Sequence, residues 1–210
     1  GNYQSATGAI SCTNTDPGYY SPGTVAGINV ASEQIPCPAG TYQALSTQSS
    51  CDDADAGNYS LGTYSQNGTL YTATVQTSCD YGTYQPNTAQ SECIDADAGY
   101  FVDLLGQSAQ LACSAGTYQS SEGQSTCNNA RAGFYSAGTT TVNGVVTNVA
   151  DSDIPCPAGS FSQNTGASSC TDAQTGYFAS GTITVNGVIV PSTSETACAI
   201  GTYQDQTGQS

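Results

Sequence analysis

The segment CPAGTYQALSTQSSC begins at Cys37 and returns as CDYGTYQPNTAQSEC at Cys79, CSAGTYQSSEGQSTC at Cys113 and CPAGSFSQNTGASSC at Cys156. In each copy two cysteines stand fourteen positions apart, with Gly at the third position after the first and Tyr or Phe at the fifth. No other feature limits the fold so strongly. A cysteine-closed loop this short cannot bury a core alone, so it must gain stability by stacking on its neighbours. GNYQSATGAISC at the start is the same unit without its first three residues, and CAIGTYQDQTGQS at the end is the unit without its last two. The chain therefore reads as a window on a longer array.

A second series runs between these units. Three residues after each closing cysteine comes Thr15, Ala54, Ala96, Ala130 or Ala173. Gly18, Gly57, Gly99, Gly133 and Gly176 follow three positions later, and Tyr20, Tyr59, Phe101, Tyr135 and Phe178 two beyond those. This is the cysteine frame with its cysteine replaced. Each repeat is two half-units, one opened by a cysteine and one free of it. Most aromatics fall at the fourth or fifth position of a half-unit, so each ring is expected to pack on a neighbouring Gly or disulfide in a thin, one-dimensional core.

The cysteine-free half-units also carry insertions. Asn67-Gly68, Asn143-Gly144 and Asn186-Gly187 sit between β-branched runs, as in GTTTV-NG-VVTNV and GTITV-NG-VIVP. Asn-Gly there predicts a β-hairpin, because a type I′ turn needs positive φ at both central residues. The first repeat has a shorter version, GTVAGINV, and the third has none. No segment has a helical period of apolar residues. The expected fold is all-β with little regular secondary structure: an elongated, solenoid-like, disulfide-stapled repeat rod with protruding β-hairpins. Its segments are a partial repeat at 1–36, repeats with hairpins at 37–78, 113–155 and 156–197, a short repeat at 79–112, and a partial repeat at 198–210.

Ten cysteines without one His, and without a Cys-x-x-Cys pair, are not a zinc pattern; they read as disulfides made in an oxidising compartment. Two pairings are open. One joins cysteines fourteen apart: Cys37 to Cys51, Cys79 to Cys93, Cys113 to Cys127 and Cys156 to Cys170, with Cys12 and Cys198 paired outside the window. The other joins Cys12 to Cys37, Cys51 to Cys79 and onward. The first is preferred, because a constant loop suits one disulfide geometry.

Asp53-x-Asp55 and Asp95-x-Asp97 look like the opening of a calcium loop. In the other copies the second position is Asp16, Arg131 or Gln174, and an Arg inside a calcium shell is self-defeating. The first position is always Asn or Asp, at Asn14, Asp53, Asp95, Asn129 and Asp172. The favoured reading is a turn in which that side chain accepts the backbone N–H two residues on. No metal and no cofactor are expected. Asn58 and Asn67 open the two N-glycosylation sequons.

The unit CPAGTYQ…SSC resembles the short cysteine module of ephrin-receptor-like repeats and of tumour-necrosis-factor-receptor-type cysteine-rich domains. It is similar, too, to repeats of large extracellular surface proteins, including mastigoneme-like flagellar hairs. The resemblance covers essentially the whole chain. It implies the four in-register disulfides and structural roles for Gly40, Tyr42, Gly82, Tyr84, Gly116, Tyr118, Gly159 and Phe161. The cysteine-free alternate half-unit departs from the receptor pattern.

With one basic residue against sixteen acidic ones, net −15, the chain lacks the basic footprint that nucleic acids and anionic membranes require. No apolar run is long enough for membrane insertion. Without His, Lys or a nucleophile elbow, no enzyme is expected. The expected function is a structural subunit of an extracellular filament, appendage or stalk, secreted or at the cell surface, partnered by copies of itself and by glycans. The alternative is an adhesin or receptor-type module that binds a ligand through its hairpins.

Overall fold

The computed structural model describes residues 1–25, 28–29 and 31–210. It is all-β, with no helix among the described residues, and consists of fourteen two-stranded antiparallel sheets. Ten of these are the half-units themselves. In each, the fourth and fifth residues pair with the two residues preceding the next half-unit: Thr41–Tyr42 with Asp52–Asp53, Tyr100–Phe101 with Leu111–Ala112, Ser160–Phe161 with Thr171–Asp172. Four cysteine half-units are closed by disulfides, Cys37–Cys51, Cys79–Cys93, Cys113–Cys127 and Cys156–Cys170, with Cα atoms 5.7 to 5.8 Å apart. That uniformity is what a fixed fourteen-position separation produces. Cys12 and Cys198 carry no disulfide, the first exposed and the second half-buried.

The remaining four sheets are the insertions. Tyr64–Gln66 pairs with Thr69–Tyr71, Thr140–Val142 with Val145–Asn148, and Ile183–Val185 with Val188–Val190. Their turns have φ of 50° to 52° at Asn and 78° at Gly, the type I′ geometry that Asn-Gly favours. The shorter insertion pairs Thr24–Val25 with Ile28–Asn29; Ala26, Gly27 and Val30 lie outside the described residues.

The chain forms two compact units, one of Gly1–Asp95 with Leu104–Ala109 and one of Ala96–Asp103 with Gln110–Ser210. Inside each, successive half-units are joined by the same four backbone hydrogen bonds. In the first unit the frame residue Cys79 donates its N–H to Gly57 (2.9 Å), and Gly57 donates to Gln85 (2.7 Å). Ser60 donates to Gln90 (3.0 Å) and Ala89 donates back to Ala54 (2.8 Å). In the second unit Cys156 to Gly133, Gly133 to Ser162, Ser136 to Ala167 and Gly166 to Ala130 repeat the set at 2.7 to 3.0 Å. This ladder, not side-chain packing, satisfies the buried peptide groups of such small hairpins.

The core differs from the expected stack of aromatic rings. The buried positions are the frame residue (Cys37, Ala54, Cys79, Ala96, Cys113, Ala130, Cys156 and Ala173, all at 0 to 1 % exposure) and the sixth residue after it. The buried sixth residue is Gln43, Gln85, Gln119 or Ser162 in cysteine half-units and Ser21, Ser60, Val102, Ser136 or Ala179 in cysteine-free ones. The fifth-position rings, such as Tyr42, Tyr59 and Tyr118, are only half-buried. The reason is closeness of approach. At Gly116, φ is +87° and an added Cβ would fall on the carbonyl of Gly166, two half-units on. Backbones packed at that spacing leave room at the frame and sixth positions for Ala, Ser, Val102, a disulfide or a flat amide, and the fifth-position ring stays at the rim, while Phe134, at a fourth position, is buried. The buried amides are satisfied: the Gln119 Nε2 donates to the Thr126 carbonyl (2.8 Å) and its Oε1 accepts the Ser121 N–H (3.0 Å). The Ser136 hydroxyl donates to the Thr117 carbonyl of the preceding half-unit (2.8 Å).

Candidate functional site

The cysteine-free half-units are closed by a polar clasp where the others have a disulfide. The residue in register with the closing cysteine, three before the next half-unit, is Gln34, Gln76, Gln110, Asp153 or Glu195. Each engages the residue just after the frame residue through two atoms. Gln76 accepts the Asp55 N–H at 2.6 Å and donates to the Asp55 carboxylate at 2.7 Å. Gln110 does the same for Asp97 at 2.7 and 2.6 Å, and Gln34 for Asp16 at 2.8 and 3.0 Å. In the fourth repeat the roles invert. Asp153 accepts the Arg131 N–H at 3.0 Å and its guanidinium through Nε and Nη2 at 2.9 Å. Glu195 accepts from the N–H and the amide of Gln174 at 2.8 and 3.2 Å.

These pairs account for the second position that reads as calcium-like. The carboxylates of Asp55 and Asp97 are held by amides, and Asp53 and Asp95 lie in hairpin strands opposite Thr41 and Thr83. The expected Asx turn is not what forms: the N–H two residues on from Asp53 is taken by Gln76, not by the Asp53 side chain. Among the described residues no cluster of three or more metal-ligating side chains occurs. Arg131 also lies over the Phe134 ring, 4.1 Å from its centroid. Burial opposes ionisation of Asp153, but the hydrogen bonds and charge of Arg131 outweigh it and hold the carboxyl below its ordinary value.

Three surface features offer contact to a partner. The first is the set of inserted hairpins. Each is an isolated pair of strands with open edges, and its apolar side chains face solvent: Val142 is 56 % exposed, Val145 65 %, Val188 63 % and Ile189 56 %. No charged residue occurs in 132–150 or 179–194. The second is the pair of sequons. Asn58 lies in a strand, half-buried, accepting from the Ser78 hydroxyl (2.8 Å), and the hydroxyl of its sequon residue Ser60 is spent on the Thr41 carbonyl (2.8 Å). Asn67 is exposed at a turn, with Thr69 exposed beside it.

The third is a groove that recurs where a cysteine-free half-unit meets the next cysteine half-unit, lined by the fifth-position Tyr and the disulfide. At Tyr20 and Cys51 its volume is about 220 Å³ and at Tyr135 and Cys170 about 260 Å³. At Tyr59 and Cys93 it reaches about 670 Å³. There Asp80 stands where the others have Pro38 and Pro157, and Glu92 where they have Ser50 and Ser169. No known protein family matches this chain, and no curated protein is detectably similar to it.

Proposed function

We propose that this chain is a structural subunit of an extracellular filament, appendage or stalk. The observation that supports it best is the backbone ladder, in which the same kinds of backbone bond recur from one half-unit to the next inside each compact unit. A design in which each unit is both acceptor and donor for its neighbour extends without limit and leaves little of the chain for chemistry. Four disulfides are consistent with folding in an oxidising, extracellular setting. The partner is a second copy of the chain, met through the hairpins. Open strand edges without Lys are templates for pairing, and the uncharged, β-branched hairpins at Asn143 and Asn186 meet that description. Asn67, at an exposed turn, carries N-linked sugar in a host that glycosylates secreted proteins; glycopeptide mapping that found sugar only on Asn58 would contradict this.

Val145→Lys and Val188→Lys test the assembly. Both sites are exposed and lie outside the ladder, whereas excising the whole insertion would remove Thr139, which donates to the Cys113 carbonyl. Sedimentation and electron microscopy of the native material should show periodic fibres, and of the Lys variants, folded chains that assemble poorly. A monodisperse native monomer with free hairpins would refute the proposal.

A further inference from the structure

The second and third repeats depart from the consensus of the others where they meet, and the departures converge on one groove. We propose that this groove, between the Ala54 and Cys79 half-units, binds a neutral saccharide. This does not rest on the filament reading. Its volume, about 670 Å³, lies within the range of small-molecule sites, roughly 300–1,000 Å³, while its counterparts fall below that range. Tyr59, Leu61 and Leu105 supply an apolar wall; Asp80, Glu92 and Ser91 supply polar atoms.

The combination selects the ligand. A sugar ring carries C–H groups on its face and hydroxyl donors around its edge. An aromatic and aliphatic wall takes the first, and carboxylates, which only accept, take the second. A small cation would gain from Asp80 and Glu92 but nothing from two leucines. An acidic saccharide is repelled by both carboxylates and by a net charge of −15.

The binding surface continues onto the adjacent hairpin. A smaller cavity of about 210 Å³ shares Leu61 and Thr77 with the groove and is walled by Tyr64 and Tyr71. Those two rings stack at 5.3 Å with 15° between their planes, and they are 39 % and 44 % exposed. Each ring holds the other in place, so little side-chain freedom remains to be lost when a sugar stacks on them. Neither Tyr belongs to the repeat frame. The other two long hairpins have no aromatic at all.

The test uses the full chain and a panel of neutral hexasaccharides (gluco-, xylo-, manno- and galacto-), with hexagalacturonate and spermine alongside. The absence of Trp makes tyrosine fluorescence a direct reporter. At least one neutral hexasaccharide should bind, and Tyr71→Ala and Glu92→Gln should each weaken it about tenfold or more, as expected for loss of a stacked ring or a charged hydrogen bond. Both variants should unfold at the native temperature, since both side chains are exposed. Binding of spermine or hexagalacturonate alone, binding of nothing, or saccharide affinity unchanged in both variants would overturn the proposal. None of these outcomes bears on whether the native chain forms fibres.

Discussion

The half-unit opened by Ala96 has no cysteine and no insertion, so it is the same length as a disulfide-closed one. Ala96 occupies the frame position and Gln110 the position of the closing cysteine, fourteen residues on. The Ala96→Cys/Gln110→Cys double variant should therefore form a disulfide with no shift of the backbone. In the loop-closure account a fifteen-residue loop contributes about 3 kcal/mol. The substitution removes the two exposed Gln110–Asp97 hydrogen bonds, together worth about 1 kcal/mol at the surface. The net gain is about 2 kcal/mol, or roughly 4–8 °C in melting temperature for a chain of this size. Peptide mapping without reductant should find the new bond, and thermal and guanidinium unfolding should show the gain, which reductant then abolishes. Thiols that stay alkylatable in the folded, oxidised protein, or a bonded variant less stable than the parent, would show that the two kinds of half-unit do not share one geometry.

Other consequences are as direct. Ala89 has φ of +59° at the position where most half-units without an insertion place Gly, so Ala89→Gly should stabilise by about 1 kcal/mol, the usual left-handed penalty; a loss of stability in denaturant titration would contradict this. The Cys156 half-unit has Ser162 in place of the bracing Gln, beside a cavity of about 410 Å³. Ser162→Gln should restore the brace to the opposite loop wall and add about 1 kcal/mol, read as a raised melting temperature. The Asp153 carboxyl titrates below its ordinary value in the folded protein, so its contribution is present above about pH 4, the unfolded value, and is lost as pH falls through the folded one. Arg131→Gln should flatten that part of the acid unfolding profile and leave the profile near neutral pH parallel to the parent's.

The fold class and the half-unit boundaries were legible because they are written in local signals. A fixed Cys-to-Cys interval, a Gly three residues on and Asn-Gly between β-branched runs each specify backbone geometry within one hairpin, and the hairpins stand at those places. What composes the core was not legible in that way. The aromatic at the fifth position is the most conspicuous residue of TYQ, yet the Gln after it is the one buried. Only the ladder between half-units brings backbones so close that the fifth-position ring stays half-exposed and a braced amide fits inside. The clasps were missed for a related reason. Asp16 and Gln34, or Arg131 and Asp153, lie eighteen and twenty-two residues apart, and the signal was their complementarity: wherever one partner changes from acid to base, the other changes with it. The groove at Tyr59 depends on more still, since Asp80, Glu92 and Leu105 come from three separate stretches of chain. Local sequence determines which hairpins form, because turn and strand preferences act within a few residues. Which side chains are buried, clasped or gathered into a groove is decided by backbone hydrogen bonds between hairpins, and those partners come together only when the hairpins stack.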